Sequence, residues 1–141
     1  PWQEPQIGSG TANVAVQTDD PESLLSLYRD LIALRNDSPA LRYGTTITLE
    51  SGHRSVAAFL RTIGDDHVLV VANLGAAEVT EYALDLTADL FDGPVEALPL
   101  LGGDGAAAPE VDTTGGFAGY RPLETLPART AMILRLEPAG D

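Results

Sequence analysis

The chain has 141 residues, with no cysteine, eight arginines, no lysine and 21 acidic side chains, for a net charge of −13 at pH 7. These counts exclude disulfides, thiolate chemistry, a Schiff-base lysine and a phosphate-loop lysine, and a surface of this sign repels nucleic-acid phosphate. The length suits a structure that buries about 68–70% of the surface its unfolded form exposes, enough for a real core.

No apolar run approaches the roughly 18–20 residues needed to cross a bilayer, and Pro1-Trp2-Gln3-Glu4-Pro5 has neither the charged nor the apolar part of a signal peptide. The reading is a soluble chain with no membrane partner and no nucleic-acid partner. The cytoplasm is the favoured compartment, although the lack of cysteine fits either redox environment. A start on Pro1 instead of methionine suggests a processed or cut terminus, as in a fragment.

Residues 1–19 read as a surface loop with a short extended piece over Asn13-Val14-Ala15-Val16-Gln17. A helix is predicted over about 21–35, with Asp20 as its N-cap, Pro21 at the first helical position and Arg35 at the negative end. Placed at 100° per residue, Leu24, Leu25, Leu27, Tyr28, Leu31, Ile32 and Leu34 cover about half its circumference. So broad a face needs a partner surface. Asn36 to Gly44 reads as a connector, with Pro39 closing the helix exit and Gly44 marking the change of pattern.

From Thr45 the period becomes two. Thr46 to Glu50 and Ser55 to Arg61 predict a hairpin around Ser51-Gly52-His53-Arg54. Ile63-Gly64-Asp65-Asp66 is a turn, and His67 to Leu74 is a nearly continuous apolar run of the kind covered on both faces at the centre of a sheet. Val79 to Leu86, Pro94 to Leu101 and Thr130 to Leu136 are further strands, whereas Gly102 to Gly119 reads as a long Gly- and Ala-rich loop. The sum is an antiparallel sandwich.

The chemistry is sparse. Asp65-Asp66-His67 offers possible metal ligands, but adjacent residues rarely converge, and turn chemistry is the better reading. Asp104, Glu110 and Asp112 miss the spacing of a calcium loop. No Gly-x-Ser-x-Gly elbow occurs. Asn73 reads as a side chain bonding nearby backbone at a strand exit. Phe59 and Tyr28 read as core, whereas Trp2 and Tyr120 sit in loops where a binding role is conceivable. No residue is assigned a catalytic, substrate-binding, cofactor-binding or metal role, and no cofactor is implied.

The run Asn13 to Gln17, then Asp20-Pro21-Glu22-Ser23-Leu24-Leu25, Tyr28-Arg29, Leu31-Ile32-Ala33-Leu34-Arg35, Pro39-Ala40-Leu41 and Gly44 resembles the end of the catalytic barrel in the α-amylase superfamily of glycoside hydrolases, with the α-glucosidase and oligo-glucosidase branches nearest. Pro1-Trp2 is similar to the Pro-Trp before that stretch. Val56 to Arg61 and Val68 to Leu74 resemble the first half of the β-sandwich that follows the barrel, domain C. The resemblance spans about residues 1–75, and Thr130 to Leu136 resembles the closing strand.

The resemblance implies a mainly β chain: residues 1–43 as the tail of a (β/α)8 barrel, loop plus last helix, and residues 44–141 as a Greek-key-like antiparallel sandwich. It implies the non-catalytic C-terminal part of a glycoside hydrolase acting on α-glucosidic bonds, with a role in stabilising the barrel. The family's catalytic carboxylates would lie before Pro1, so the chain is expected to be inactive alone. Its partner would be the missing barrel, on the same polypeptide or a companion chain, packing on Leu24, Leu27, Tyr28, Leu31 and Leu34. The alternatives are an autonomous carbohydrate-binding or interaction sandwich, and part of a non-catalytic barrel relative.

Overall fold

The computed structural model describes Gly8, Gly10 and residues 13–140. Trp2 and the Pro1-Trp2 pair lie outside the described residues. Two compact units divide the chain, one ending at Asp37 and the other beginning at Ser38.

The first unit holds α1 (Val14–Gln17) and α2 (Leu24–Asp37), which pack together. Asn13 caps α1 through a 3.0 Å bond from Val16 N, so the expected extended piece over 13–17 is a single helical turn. The start of α2 also differs from expectation, and the reason is local hydrogen bonding. Asp20 spends its carboxylate on the N–H of Glu22, two residues on, at 2.9 Å, making a turn instead of a helix cap. Ser23 takes the cap: its Oγ accepts from Ser26 N at 3.2 Å, while Gln17 Oε1 accepts from Leu25 N at 3.1 Å. The helix therefore begins three residues later than Pro21 suggests, and it continues past Arg35 to Asp37. None of its residues is buried; Leu24, Tyr28 and Ile32 are each more than half exposed, and Leu27 is 40% exposed. Tyr28 is thus not a core residue of this chain.

The second unit opens with α3 (Pro39–Tyr43), a short helix inside the stretch that reads as a connector. Pro39 sits where a missing N–H costs nothing, Ser38 Oγ accepts from Leu41 N at 3.2 Å, and Gly44 N closes the helix on Ala40 O at 2.9 Å. A Cβ at Gly44 would lie 2.5 Å from Ala40 O and 2.8 Å from Thr62 O, which only glycine avoids.

Seven strands follow: β1 (Thr45–Leu49), β2 (Val56–Ile63), β3 (Asp66–Asn73), β4 (Leu84–Leu86), β5 (Val95–Leu101), β6 (Phe117–Tyr120) and β7 (Thr130–Pro138). Five form a sheet in the order β1-β2-β3-β7-β5, and β4 pairs with β6; every pairing is antiparallel. The hydrophobic run His67 to Leu74 does occupy the centre of the larger sheet. Val56, Ala58 and Leu60 of β2, Leu69 and Val71 of β3, and Met132, Leu134 and Leu136 of β7 point to one face, as the two-residue period requires. There they join Leu84, Leu86, Phe117 and Tyr120 from the smaller sheet in one core, completed by Val79, Tyr82, Phe91, Val95 and Leu126. The mainly antiparallel fold read from the sequence is therefore observed.

The predicted strand Val79 to Leu86 contracts to three residues plus an isolated bridge between Val79 and Leu126. Conversely, β6 begins inside the stretch expected to be a loop and ends one residue beyond it. On the opposite face of the large sheet, α3 packs against β2 and β3. That cover explains why Val68, which faces away from the main core, is as fully buried as Leu69.

Candidate functional site

A concavity of the sheet unit lies at the start of β3. Ile63 and Asp66 pair across a two-residue turn in which Gly64 adopts φ +53°, a conformation glycine takes without strain. This hairpin sets Thr62 directly opposite His67, and Thr62 Oγ1 lies 2.7 Å from His67 Nδ1. The imidazole meets the Phe91 ring edge-on, with centroids 5.1 Å apart and planes at 75°. A hollow of about 320 Å³ opens beside it, bounded by Asp65, Asp92 and the apolar surfaces of Phe91, Pro94 and Pro138. Burial holds the His67 pKa below its ordinary value, against the opposing pull of the Asp65 and Asp66 carboxylates.

The three neighbours read as turn chemistry thus diverge. Asp66 points to the outer face, where its Oδ2 accepts from Ser38 Oγ and Ala40 N, each at 2.8 Å, and its Oδ1 lies 3.5 Å from Arg135 Nε. His67 points inward, and Asp65 borders the hollow. Alternation along a strand makes this separation unavoidable, because consecutive side chains leave on opposite faces. The signal for the His67 environment was present in its position as the first inward residue of the buried strand.

At the other end of β3, Asn73 is 1% exposed and fully engaged. Its Nδ2 donates to Ala77 O, Leu126 O and Pro127 O at 2.8, 3.1 and 3.0 Å, and its Oδ1 accepts from Gly75 N at 2.9 Å and Ser55 Oγ at 3.3 Å. One amide therefore fastens three loop segments to the end of the sheet. His53 belongs to the adjacent turn, its Nδ1 3.0 Å from Ser55 Oγ.

Tyr120 corrects the expectation of a loop aromatic. It lies in β6, 5% exposed, with its hydroxyl donating to Ala107 O at 2.7 Å and its ring edge-on to Phe117. Burial pushes its phenol pKa well above the usual range. Phe59, read as core, is only half-buried because it lies on the outer face of β2, opposite Thr48 and Val70. Asp112 is a turn residue: its Oδ1 accepts from Thr114 N, Thr114 Oγ1 and Gly116 N at 2.7, 2.6 and 3.2 Å, bonds that hold its carboxyl below the usual range. Among the described residues, no three or more His, Asp or Glu side chains gather as a metal site, and none of the helices is long and apolar enough to cross a membrane.

Two facing antiparallel layers, preceded by a capped helix with an exposed apolar face, define an architecture that can be compared with known proteins. No family model matches the sequence. Palatinase from Erwinia rhapontici is 40% identical over 67 residues, which is 48% of this chain and 12% of the palatinase. Trehalose synthase from Thermus thermophilus is 40% identical over 87 residues, covering 60% of this chain and 9% of that enzyme. Oligo-1,6-glucosidase from Bacillus cereus is 27% identical over 111 residues, or 71% of this chain and 20% of the glucosidase.

Among solved structures, trehalulose synthase MutB from Pseudomonas mesoacidophila MX-45 matches with a TM-score of 0.67 and 26% identity, over 97% of this chain and 22% of that one. The fold is that of the C-terminal domain of α-amylase family enzymes. The chain belongs to the α-amylase superfamily, of whose members it spans a fragment, from 9% to 22% of the length of the relatives named here.

Proposed function

We propose that this chain serves as the C-terminal, non-catalytic part of an enzyme acting on α-glucosidic bonds, and that a catalytic barrel supplied by a longer polypeptide or a companion chain covers the apolar face of α2. The observation that carries this reading is the exposed face itself: Leu24, Leu27, Tyr28 and Ile32 are at least 40% exposed on a helix with no buried residue. Apolar side chains of this size each gain about 1.5–3 kcal/mol on full burial, so a contiguous row of them is a surface made to be covered. Leu31 and Leu34, half-buried in this chain, complete the same stripe.

The relatives supply the chemistry of the reading. Palatinase, trehalose synthases and oligo-1,6-glucosidase are the proteins in which similar segments occur, and this chain is a small share of each. In this reading α2 and the loop before it are the end of the barrel, and the β-sandwich is the domain that follows. No catalytic, substrate-binding or metal role falls to its residues.

Complementation tests the proposal. A relative's barrel, such as that of the oligo-1,6-glucosidase without its own C-terminal part, is produced alone and fused ahead of this chain, and both are assayed on a chromogenic α-glucoside. The fusion should recover activity that the truncated barrel lacks, and the 141-residue chain alone should show none. Turnover by the chain alone, or its saturable binding to starch without any barrel, would contradict the proposal, the latter in favour of an autonomous carbohydrate-binding module.

A further inference from the structure

We propose, on the strength of the reading that a catalytic barrel holds α2, that the same barrel also docks on the outer face of the five-stranded sheet, laying an apolar patch over Phe59, Val70 and Ala72 and bringing a carboxylate to Arg135.

An antiparallel sheet with one free face normally carries polar residues there. The central strand does not. Outward along β3 stand Asp66, Val68, Val70 and Ala72, followed by Leu74 just past the strand. The short helix α3 covers only the beginning of this row: Val68 is fully buried, Val70 and Ala72 are half-buried, and Leu74 is 73% exposed. Phe59 and Ala57 of β2 lie beside Val70 and Ala72 on the same face, and Ala131 of β7 extends the patch on the other side. The hydrophobic run that reads as covered on both faces therefore has its inner cover and only part of its outer one.

Charge and an unfilled donor describe what belongs opposite. The chain carries 15 acidic residues beyond Thr45. Yet on β2, β3 and β7 the three outward rows through Val68, Val70 and Ala72 hold no acidic residue and two arginines, Arg61 and Arg135, one on either side of Val68. Arg61 is engaged, its Nε donating to Ala40 O at 3.2 Å. Arg135 is not: its Nε is buried without a hydrogen-bond acceptor among the described residues, and Asp66 Oδ1, 3.5 Å away, is an ion-pair neighbour only. A buried donor at the edge of an uncovered apolar patch calls for an acceptor from outside, and a carboxylate suits a guanidinium best.

The covalent path selects the barrel. Asp37, the end of α2, is bonded to Ser38, which caps α3 on this same face of the sheet. A body that holds α2 is thus tethered to an element of the face and meets the patch at high effective concentration. A second copy fits less well, because it would bring a further net charge of −13 and set arginines against arginines.

The chain has no cysteine, so Val70→Cys, which nearly conserves volume, places a single thiol in the middle of the patch. Ala118→Cys, exposed on β6 of the smaller sheet, is the control. Maleimide labelling, localised by peptide mass spectrometry, is timed on the 141-residue chain alone and fused behind the oligo-1,6-glucosidase barrel, with amide exchange of α2 read on the same fusion. Fusion should slow labelling at Val70→Cys at least about tenfold, since labelling follows the fraction of time the contact is open, and should leave Ala118→Cys unchanged. Ala57→Cys, exposed on the outer face, should be slowed likewise and serves if Val70→Cys does not fold. Adding Arg135→Met should speed labelling in the fusion about tenfold, the worth of one hydrogen bond to a charged group, and leave the isolated chain unchanged. Full-speed labelling of the outer-face thiols in a fusion whose α2 is protected would overturn the sheet contact while leaving the helix reading intact. Full-speed labelling with α2 unprotected would overturn both. Labelling already slow in the isolated chain, and faster on dilution, would overturn the proposal in favour of a second copy, and an Arg135→Met fusion that labels no faster would overturn the carboxylate.

Discussion

Ser38 Oγ donates a 2.8 Å hydrogen bond to Asp66 Oδ2, tying the cap of α3 to the first residue of the central strand. The same oxygen accepts from Ala40 N at 2.8 Å, so one carboxylate holds the capping hydroxyl and satisfies one of the N–H groups that the start of a helix leaves unpaired. Asp66→Ala should lower stability by about 1–3 kcal/mol, because the fully buried Ser38 hydroxyl and the Ala40 N–H lose their acceptor. Asp66→Asn, which keeps one acceptor oxygen, should lose less. Arg135, 3.5 Å from Oδ1 and one-third exposed, contributes little to that difference. Urea midpoints of the three proteins check the order.

Asn73 should be the least replaceable polar residue of the sheet unit. Asn73→Ala removes a donor from the carbonyls of Ala77, Leu126 and Pro127 and the side-chain acceptor of the Gly75 N–H; Leu126 O keeps Val79 N and Pro127 O keeps Thr130 Oγ1, so the cost, about 2–4 kcal/mol, falls mainly on Ala77 and Gly75. Asn73→Asp should cost more than Asn73→Ala, since it sets a carboxylate against three carbonyl oxygens in a buried place. Thermal unfolding of the two variants distinguishes these outcomes.

The His67 proton gives stability a pH dependence of known sign. Its folded-state pKa lies below the ordinary 6.5, so in the window between them the unfolded chain binds the proton more readily than the folded one. The stabilising contribution is complete above about pH 6.5 and is lost as pH falls through the folded value, below which the dependence levels off. His67→Gln should flatten this part of the profile, measured as unfolding free energy between about pH 7.5 and 5.

Gly116 stands where β6 passes β4. A Cβ there would run into Leu86 O, a backbone atom that cannot move aside without breaking the β4–β6 pairing. Gly116→Ala should therefore destabilise the protein by at least about 2 kcal/mol, well beyond the usual surface substitution. By contrast Gly93→Ala, with open space around its Cα, should be close to neutral. Comparison of their denaturation curves tests the assignment.

These residues show which parts of the molecule the sequence discloses. Val68 to Val71 announce a central strand because the hydrophobic run leaves no polar face, and Thr46 to Arg61 announce a hairpin by strict alternation. Strand β6 was hidden because Phe117-Ala118-Gly119-Tyr120 follows two glycines and offers only two large side chains, both inward. The start of α2 departs from its sequence pattern because Asp20-Pro21 has the chemistry of a cap, while the competing bonds of Ser23 to Gln17 O and Asp20 O, at 2.8 and 2.7 Å, depend on how the turn folds. The hollow at His67 is legible only in part: its histidine and Asp65 are two residues apart in sequence, whereas Phe91, Asp92 and Pro138 arrive through long-range packing that no local pattern reports.

The most direct measurement is amide exchange across Leu24–Asp37, taken once on the monomeric 141-residue chain and once on the same chain fused to an α-amylase family barrel. If the apolar face of α2 is made to be covered by a barrel, its amides should exchange rapidly in the isolated chain, since local stability follows apolar contact, and become strongly protected in the fusion. Equally strong protection in both, with the isolated chain shown to be monomeric, would contradict that role for the helix.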